Sequence, residues 1–312
     1  MKGEQKKFWL SAILLSGWLF SAMMMFSYGR EEEVKDKKSG EELLSPVEIL
    51  TKTVESYYDL EDHGLKRAVC FVKSPEFIKS LDAGMRRIVE PVKYEAIIEP
   101  GEDIKVKARQ IPPNYGLDAR DSIEEYEKQL ARQLTQINYL INSPIELIKF
   151  ILKDPSFNLT TEADGKLTKI TVARKEMPPQ RRSRRGARQE RSGPAESVKA
   201  LPENMVIWVT KDCIVDKMEL VDKQGKSILD IKSHRYQKYW TIKQLDIVKY
   251  DEEGRLDERT YLDIAHGYPQ TMMLPTCIKL SLLDEAGHLI ERRNEVNPVS
   301  VNFSDYEVEI KK

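Results

Sequence analysis

The sequence predicts an α+β fold in which a long antiparallel β-meander is combined with a smaller set of helices. Three observations predict it. From about residue 203 to the end, apolar and polar residues alternate in successive runs, the pattern of strands with one buried face. Acidic-x-x-Gly turns punctuate those runs: Asp222-Lys223-Gln224-Gly225-Lys226, Asp251-Glu252-Glu253-Gly254-Arg255 and Asp284-Glu285-Ala286-Gly287-His288, with Glu162-Ala163-Asp164-Gly165-Lys166 upstream. Glycine supplies the positive φ of such turns and the acidic side chains hydrogen-bond the tight backbone. Between residues 45 and 153, apolar residues instead recur at helical spacing behind capping residues.

The chain starts with Lys2, Lys6 and Lys7, followed by an uncharged run over 8–29, FWLSAILLSGWLFSAMMMFSYG. A basic flank before an apolar segment is the form of an export signal. Ser27-Tyr28-Gly29 offers the small residues a signal peptidase requires, yet the run is also long enough to stay as a membrane anchor. Both outcomes are open, and both place the rest of the chain outside the cytoplasm, in the periplasm or cell envelope. No Cys ends the run, so a lipid-modified N-terminus is not supported. Of 312 residues 32% are charged, with a formal net charge of −1. Removing residues 1–29 takes away a net +2 and leaves −3, a balance that does not point to nucleic acid.

Residues 30–44 are charged and patternless, a linker. A capping box, Ser45-Pro46-Val47-Glu48, opens the first helix, with Val47, Leu50, Val54 and Tyr57 or Tyr58 on its apolar face and His63-Gly64 as the stop. A strand follows over 65–72, a short helix over 77–88, then a hairpin over 92–98 and 104–109 turning at Pro100-Gly101. Ser122-Ile123-Glu124-Glu125 caps a helix whose stripe is Ile123, Tyr126, Leu130, Leu134, Ile137 and Ile141. Asn142 is expected to end it and Ser143-Pro144-Ile145-Glu146 to begin another, apolar nearly all round. Strands at 157–162 and 167–174 precede the meander, whose strands fall at 205–211, 214–222, 227–233, 239–250, 259–265 and 276–283. In the last strand Val299, Val301 and Phe303 have one parity and Tyr306, Val308 and Ile310 the other, so a bulge is expected at Ser304-Asp305.

Residues 177–197 interrupt the pattern. Pro178, Pro179 and Pro194 flank Arg181, Arg182, Arg184, Arg185, Arg188 and Arg191, a composition that cannot bury a core and reads as a disordered insertion. Its functional reading is contact with an anionic partner, a phospholipid headgroup or a cell-wall polymer, since guanidinium grips phosphate bidentately.

No G-x-S-x-G, phosphate-binding loop or H-E-x-x-H is present, and His63, His234, His266 and His288 are scattered. Cys70, Cys213 and Cys277 lack ligand spacing and read as small apolar residues on strands, although an oxidising compartment would allow one pair to bridge. The expectation is a non-enzyme without cofactor or metal.

The order of elements, with the phrase Ser143-Pro144-Ile145-Glu146-Leu147-Ile148-Lys149-Phe150-Ile151-Leu152 and turns such as Asp222-Lys223-Gln224-Gly225-Lys226, resembles the periplasmic lipoprotein carriers, the LolA/LolB-like or outer-membrane lipoprotein-sorting superfamily. The resemblance covers about residues 45–311. It implies an incomplete antiparallel β-barrel, a half-barrel meander, with helices covering or plugging its concave face and an apolar cavity for acyl chains. It also implies one domain over 45–312 and a carrier or sensor of a lipid or lipid-modified protein. The Arg-rich insertion and the long helix depart from the family pattern, and no functional arginine of the family maps onto this sequence. If the concave face is only partly filled, the candidate lipid-binding residues are Trp208, Trp240, Ile278, Leu280 and Leu282 from the sheet, with Phe150 and Ile151 from the plug helix. The alternative is a membrane-tethered interaction module with a packed core, acting through its surface and the Arg-rich loop.

Overall fold

A computed structural model describes residues 44–175, 202, 204–223, 225–290 and 297–311. Residues 1–43 and the Arg-rich stretch, including Arg181, Arg182, Arg184, Arg185, Arg188 and Arg191, lie outside the described residues. The helices are α1 (Pro46–Ser56), α2 (Pro75–Ser80), α3 (Ala83–Val89) and α4 (Leu117–Lys153). The strands are β1 (Leu65–Lys73), β2 (Tyr94–Ile98), β3 (Lys105–Ala108), β4 (Phe157–Asp164), β5 (Leu167–Arg174) and β6 (Asn204–Thr210). The chain continues with β7 (Val215–Asp222), β8 (Gly225–Tyr236), β9 (Tyr239–Tyr250), β10 (Leu256–Gly267), β11 (Leu274–Leu282) and β12 (Val299–Ile310).

All twelve strands form one antiparallel sheet in the order β3-β2-β1-β12-β11-β10-β9-β8-β7-β6-β5-β4. β3 and β4 end it without pairing to each other, so the sheet is open, as the half-barrel reading expects. The first strand pairs with the last: Leu65 lies opposite Ile310 and Val72 opposite Phe303. The expected bulge is present, since Val69 faces Glu307 while Phe71 faces Ser304, and Asp305 takes a φ of 52°. It returns Val308 to the side of Val301 and Phe303.

Cross-strand pairing assembles one apolar face. Ile170, Ile207, Met218, Leu229 and Ile247 lie opposite one another across five strands, and Ile231, Leu245, Leu262 and Leu280 do so across four. The acidic-x-x-Gly turns set this register. At one of them Asp251 accepts from the backbone of Glu253 and Arg255, both at 2.9 Å, and Gly254 takes a φ of 77°. At another, a Cβ on Gly225 would sit 2.0 Å from the Tyr250 carbonyl, so only glycine fits.

Helix α1 is capped as its sequence predicts. Ser45 Oγ accepts from Glu48 N at 3.2 Å and Glu48 Oε2 from Ser45 N at 2.7 Å. Its buried face is Ile49, Leu50 and Thr53, whereas Val47 is 51% exposed, so the apolar stripe is rotated from the expected one. Thr53 can be buried because its hydroxyl donates to the Ile49 carbonyl at 2.8 Å.

The expected break at Asn142 does not occur. Residues 117–153 form one helix that passes through Pro144. Proline has no N–H for the Leu140 carbonyl, which would normally leave that acceptor orphaned and bend the helix. Here the Ser143 hydroxyl donates to Leu140 O at 2.9 Å and takes the missing place. Ser122 is likewise inside the helix, donating to Asp118 O at 3.0 Å, rather than capping it.

Helix α4 contributes Ile123, Tyr126, Leu130, Leu134, Ile137, Leu147, Ile148 and Ile151 to a single core cluster with the apolar sheet face. Tyr126 rests against Phe77 and Tyr94, with ring centroids 5.4 and 4.8 Å away. The same helix covers the free edge of β3. Ala108 N donates to Glu127 and Ile104 N to Thr135 Oγ1 at 2.9 Å, so two amides along this edge are satisfied without another strand. Every residue of this core lies between Leu44 and Val308.

Two of the three cysteines sit on strands as expected, Cys70 on β1 and Cys277 on β11. Cys213 instead sits in the β6–β7 turn with a φ of 57°, and all three thiols are free. Ser143→Ala is expected to lower stability by about 1–2 kcal/mol, because a buried carbonyl loses its donor. In a Pro144→Ala background the residue 144 amide can take that carbonyl, so the same change is expected to cost under about 0.5 kcal/mol; urea unfolding of the four-member mutant cycle measures both.

Candidate functional site

The seven residues predicted to line a cavity are not brought together around one. Ile278 is 4% and Ile151 2% exposed, both inside the packed core. Leu280 and Phe150 are half-buried against the same core, Phe150 meeting Phe157 edge-on at 6.2 Å. Leu282 sits opposite Thr260, with its backbone N–H and C=O both bonded to the Asn297 side chain at 2.9 and 2.6 Å. Trp208 lies between the buried Ile207 and Val209, on the opposite face of the sheet from α4. There its indole donates to Asp164 at 2.8 Å and Lys217 stands 5.1 Å from its ring. Trp240 is at the β8–β9 turn, half-buried and paired with Arg235.

The outer face carries charged side chains, several of them paired. Glu219 bonds Lys217 and Lys226 at 3.1 and 2.7 Å, and Asp246 holds Arg259 through two contacts of 3.1 and 2.7 Å. Burial alone would raise the Glu219 carboxyl, but Lys226 and Lys217 hold it below its ordinary value.

A different set of side chains converges at the β8–β9 end of the sheet. Tyr236 stacks on Tyr268 of the β10–β11 connection, with centroids 3.9 Å apart and planes 16° from parallel. Tyr58, just after α1, stacks on His63 at 4.0 Å, and His63 meets Tyr239 edge-on at 4.5 Å. Arg235 and Lys238 stand over Trp240 and Tyr239, at 5.9 and 4.9 Å. The tight turn is held by Gln237, which takes a φ of 52°, accepts from Arg235 Nε at 3.2 Å and donates to the Tyr236 hydroxyl at 3.1 Å. Beside this cluster an open groove of about 530 Å³ runs between α1, the β6–β7 turn and the β8–β9 turn. It is lined by Leu44, Lys52, Glu55 and Ser56, by Lys211, Asp212 and Cys213, and by Lys238 and Tyr239.

Burial pushes the Cys213 thiol above its ordinary value, away from a reactive thiolate. Among the described residues, no three His, Cys, Asp or Glu side chains gather as a metal site. His266 on β10 is half-buried, its Nε2 3.4 Å from the Thr241 hydroxyl, and partial burial with His234 nearby pulls its imidazole down to about 4. The hairpin tip, Arg235-Tyr236-Gln237-Lys238-Tyr239-Trp240, is continuous in sequence and has no acidic residue. That composition was the one signal that could have marked it.

Comparison with known proteins finds no matching family model and no matching curated protein. Among solved structures, a provisionally assigned outer membrane lipoprotein-sorting protein domain from Vibrio parahaemolyticus aligns over 85% of this chain and 92% of its own. The two share 10% identity with a TM-score of 0.24, a likeness too low to carry any argument about this chain.

Because the folded state keeps His266 neutral, the unfolded chain takes up its proton first as pH falls. Stability is therefore expected to drop between pH 6.5 and 4, by about 2–3 kcal/mol from this ring at pH 4.5. Urea midpoints at pH 7 and 4.5 check it: the loss should be smaller by that amount in His266→Asn than in the parent.

Proposed function

We propose that this protein is a non-catalytic binding module of the cell envelope that meets a lipid-bearing partner at its surface. The observation that carries the reading is the occupancy of the inner sheet face. Tyr126, Leu130 and Ile148 of α4 have no exposed surface, and neither do Ile170, Ile207 and Leu245 of the sheet. Side chains with no accessible surface line no cavity. The exported location rests on the sequence of residues 8–29.

A carrier of acyl chains is the second reading, favoured by the open sheet and its wide apolar face. It requires α4 to withdraw. The helix buries Ile123, Tyr126, Leu130, Leu134, Ile137, Leu140, Leu147, Ile148 and Ile151. At about 1.5–3 kcal/mol each, these oppose withdrawal by roughly 20 kcal/mol. One acyl chain of about sixteen methylenes returns about 13 kcal/mol at about 0.8 kcal/mol per methylene. A single chain does not displace the helix on those magnitudes, which is why the surface reading leads.

The two readings separate by extraction. The core is complete within residues 44–308, so a chain of residues 30–312 retains all of it. Purified from cells and extracted with organic solvent, it is expected to release well under one lipid per protein and to show no saturable uptake of a fluorescent fatty acid. Lipid recovered at one or more per protein would replace the surface reading with the carrier one.

A further inference from the structure

The surface reading leaves open which surface is used, and the hairpin between β8 and β9 answers it. We propose that residues 235–240, with Tyr268 beside them, seat the protein on an anionic phospholipid bilayer; this rests on the surface reading above. The first support is charge. Several cations elsewhere on the sheet are matched, Lys217 and Lys226 by Glu219, Lys249 by Glu258 and Arg259 by Asp246. Arg235 and Lys238 are exposed and make no ion pair with any described residue. A cation left without a carboxylate at a turn tip is free to meet phosphate, and guanidinium does so bidentately.

The second support is the aromatic rings. Tyrosine and tryptophan favour the headgroup level of a bilayer, where one end of the ring is apolar and the other wet. Tyr236, Tyr239 and Trp240 occupy this tip, and Tyr268, 44% exposed, stacks on Tyr236. The stacking fixes the rings before any contact is made, so little ordering cost accompanies binding.

The third support is where the chain arrives. Leu44 lines the same groove as Lys238 and Tyr239, so the N-terminal sequence joins the domain at this end. Fourteen residues, 30–43, separate Leu44 from the apolar run over 8–29, a reach of at most about 50 Å. If that run stays in the bilayer, the tip lies within a short tether of the membrane surface. Glu55 and Asp212 also face the groove, where Lys52 and Lys211 stand with them.

The test uses residues 30–312, which lack the apolar run, with the six arginines at 181, 182, 184, 185, 188 and 191 replaced by glutamine so that they contribute nothing. Sedimentation with phosphatidylglycerol–phosphatidylcholine vesicles is expected to retain binding that fades with salt and is weak on phosphatidylcholine alone. At about fivefold per basic residue near an anionic surface, R235Q together with K238Q should weaken partition roughly twentyfold. Tyr268→Ala should weaken it too, with thermal melting unchanged. In W208F, Trp240 is the one tryptophan left in this chain, and brominated phosphatidylglycerol should quench its emission. Vesicle binding that vanishes with the six arginines alone, or that ignores R235Q/K238Q and Tyr268→Ala, would overturn the proposal. So would binding of soluble polyphosphate without partition to vesicles. Lipid extracted from the interior alongside tip-dependent vesicle binding would overturn the surface-only reading and leave this one standing.

Discussion

Helix α4 lying on the apolar face of the sheet is the contact from which the remaining features follow. Its stripe from Ile123 to Ile151 is continuous only because the helix does not break at Pro144. Two shorter helices would have presented two separate stripes and left the turn at 142–144 to be solvated in the middle of the core. The Ser143 hydroxyl on the Leu140 carbonyl removes that need. The same helix satisfies two amides along the β3 edge, so one element both fills the sheet and guards one of its edges.

With the inner face filled, the surface reading turns on how charge is distributed over the outside of the sheet. On the sheet Lys217, Lys249 and Arg259 each reach a carboxylate, which lowers the field around them. At the β8–β9 turn this matching stops and aromatic rings take the place of carboxylates as the partners of Arg235 and Lys238. A ring attracts a cation without neutralising it, so the positive charge stays available to a second, anionic partner.

Much of the fold was legible in the sequence because its signals are local. The capping box of α1, the acidic-x-x-Gly turns and the parity change in β12 each depend on residues within a few positions of one another, and each is where it was expected. The helix break was misjudged because Pro144 signals an end unless a neighbour replaces its amide, and Ser143 reads as a cap when it is a substitute donor. Trp208 was expected among the cavity-lining residues, although its place between Ile207 and Val209 puts it on the opposite face. The stacked cluster was not legible at all: Tyr58, His63, Tyr239 and Tyr268 come from three distant stretches, and only the sheet order brings them together.

The pairing of β1 with β12 has a consequence for how the chain matures. The strand β1 has β2 on one side, available at once, and on the other β12, which is made much later. Until residues 299–310 arrive, β1 and β2 with their apolar sides cannot join the meander, and the loop to be closed runs from residue 73 to residue 299. Sheets completed by such remote contacts assemble slowly. During that interval the half-assembled chain displays apolar surface that is prone to aggregate.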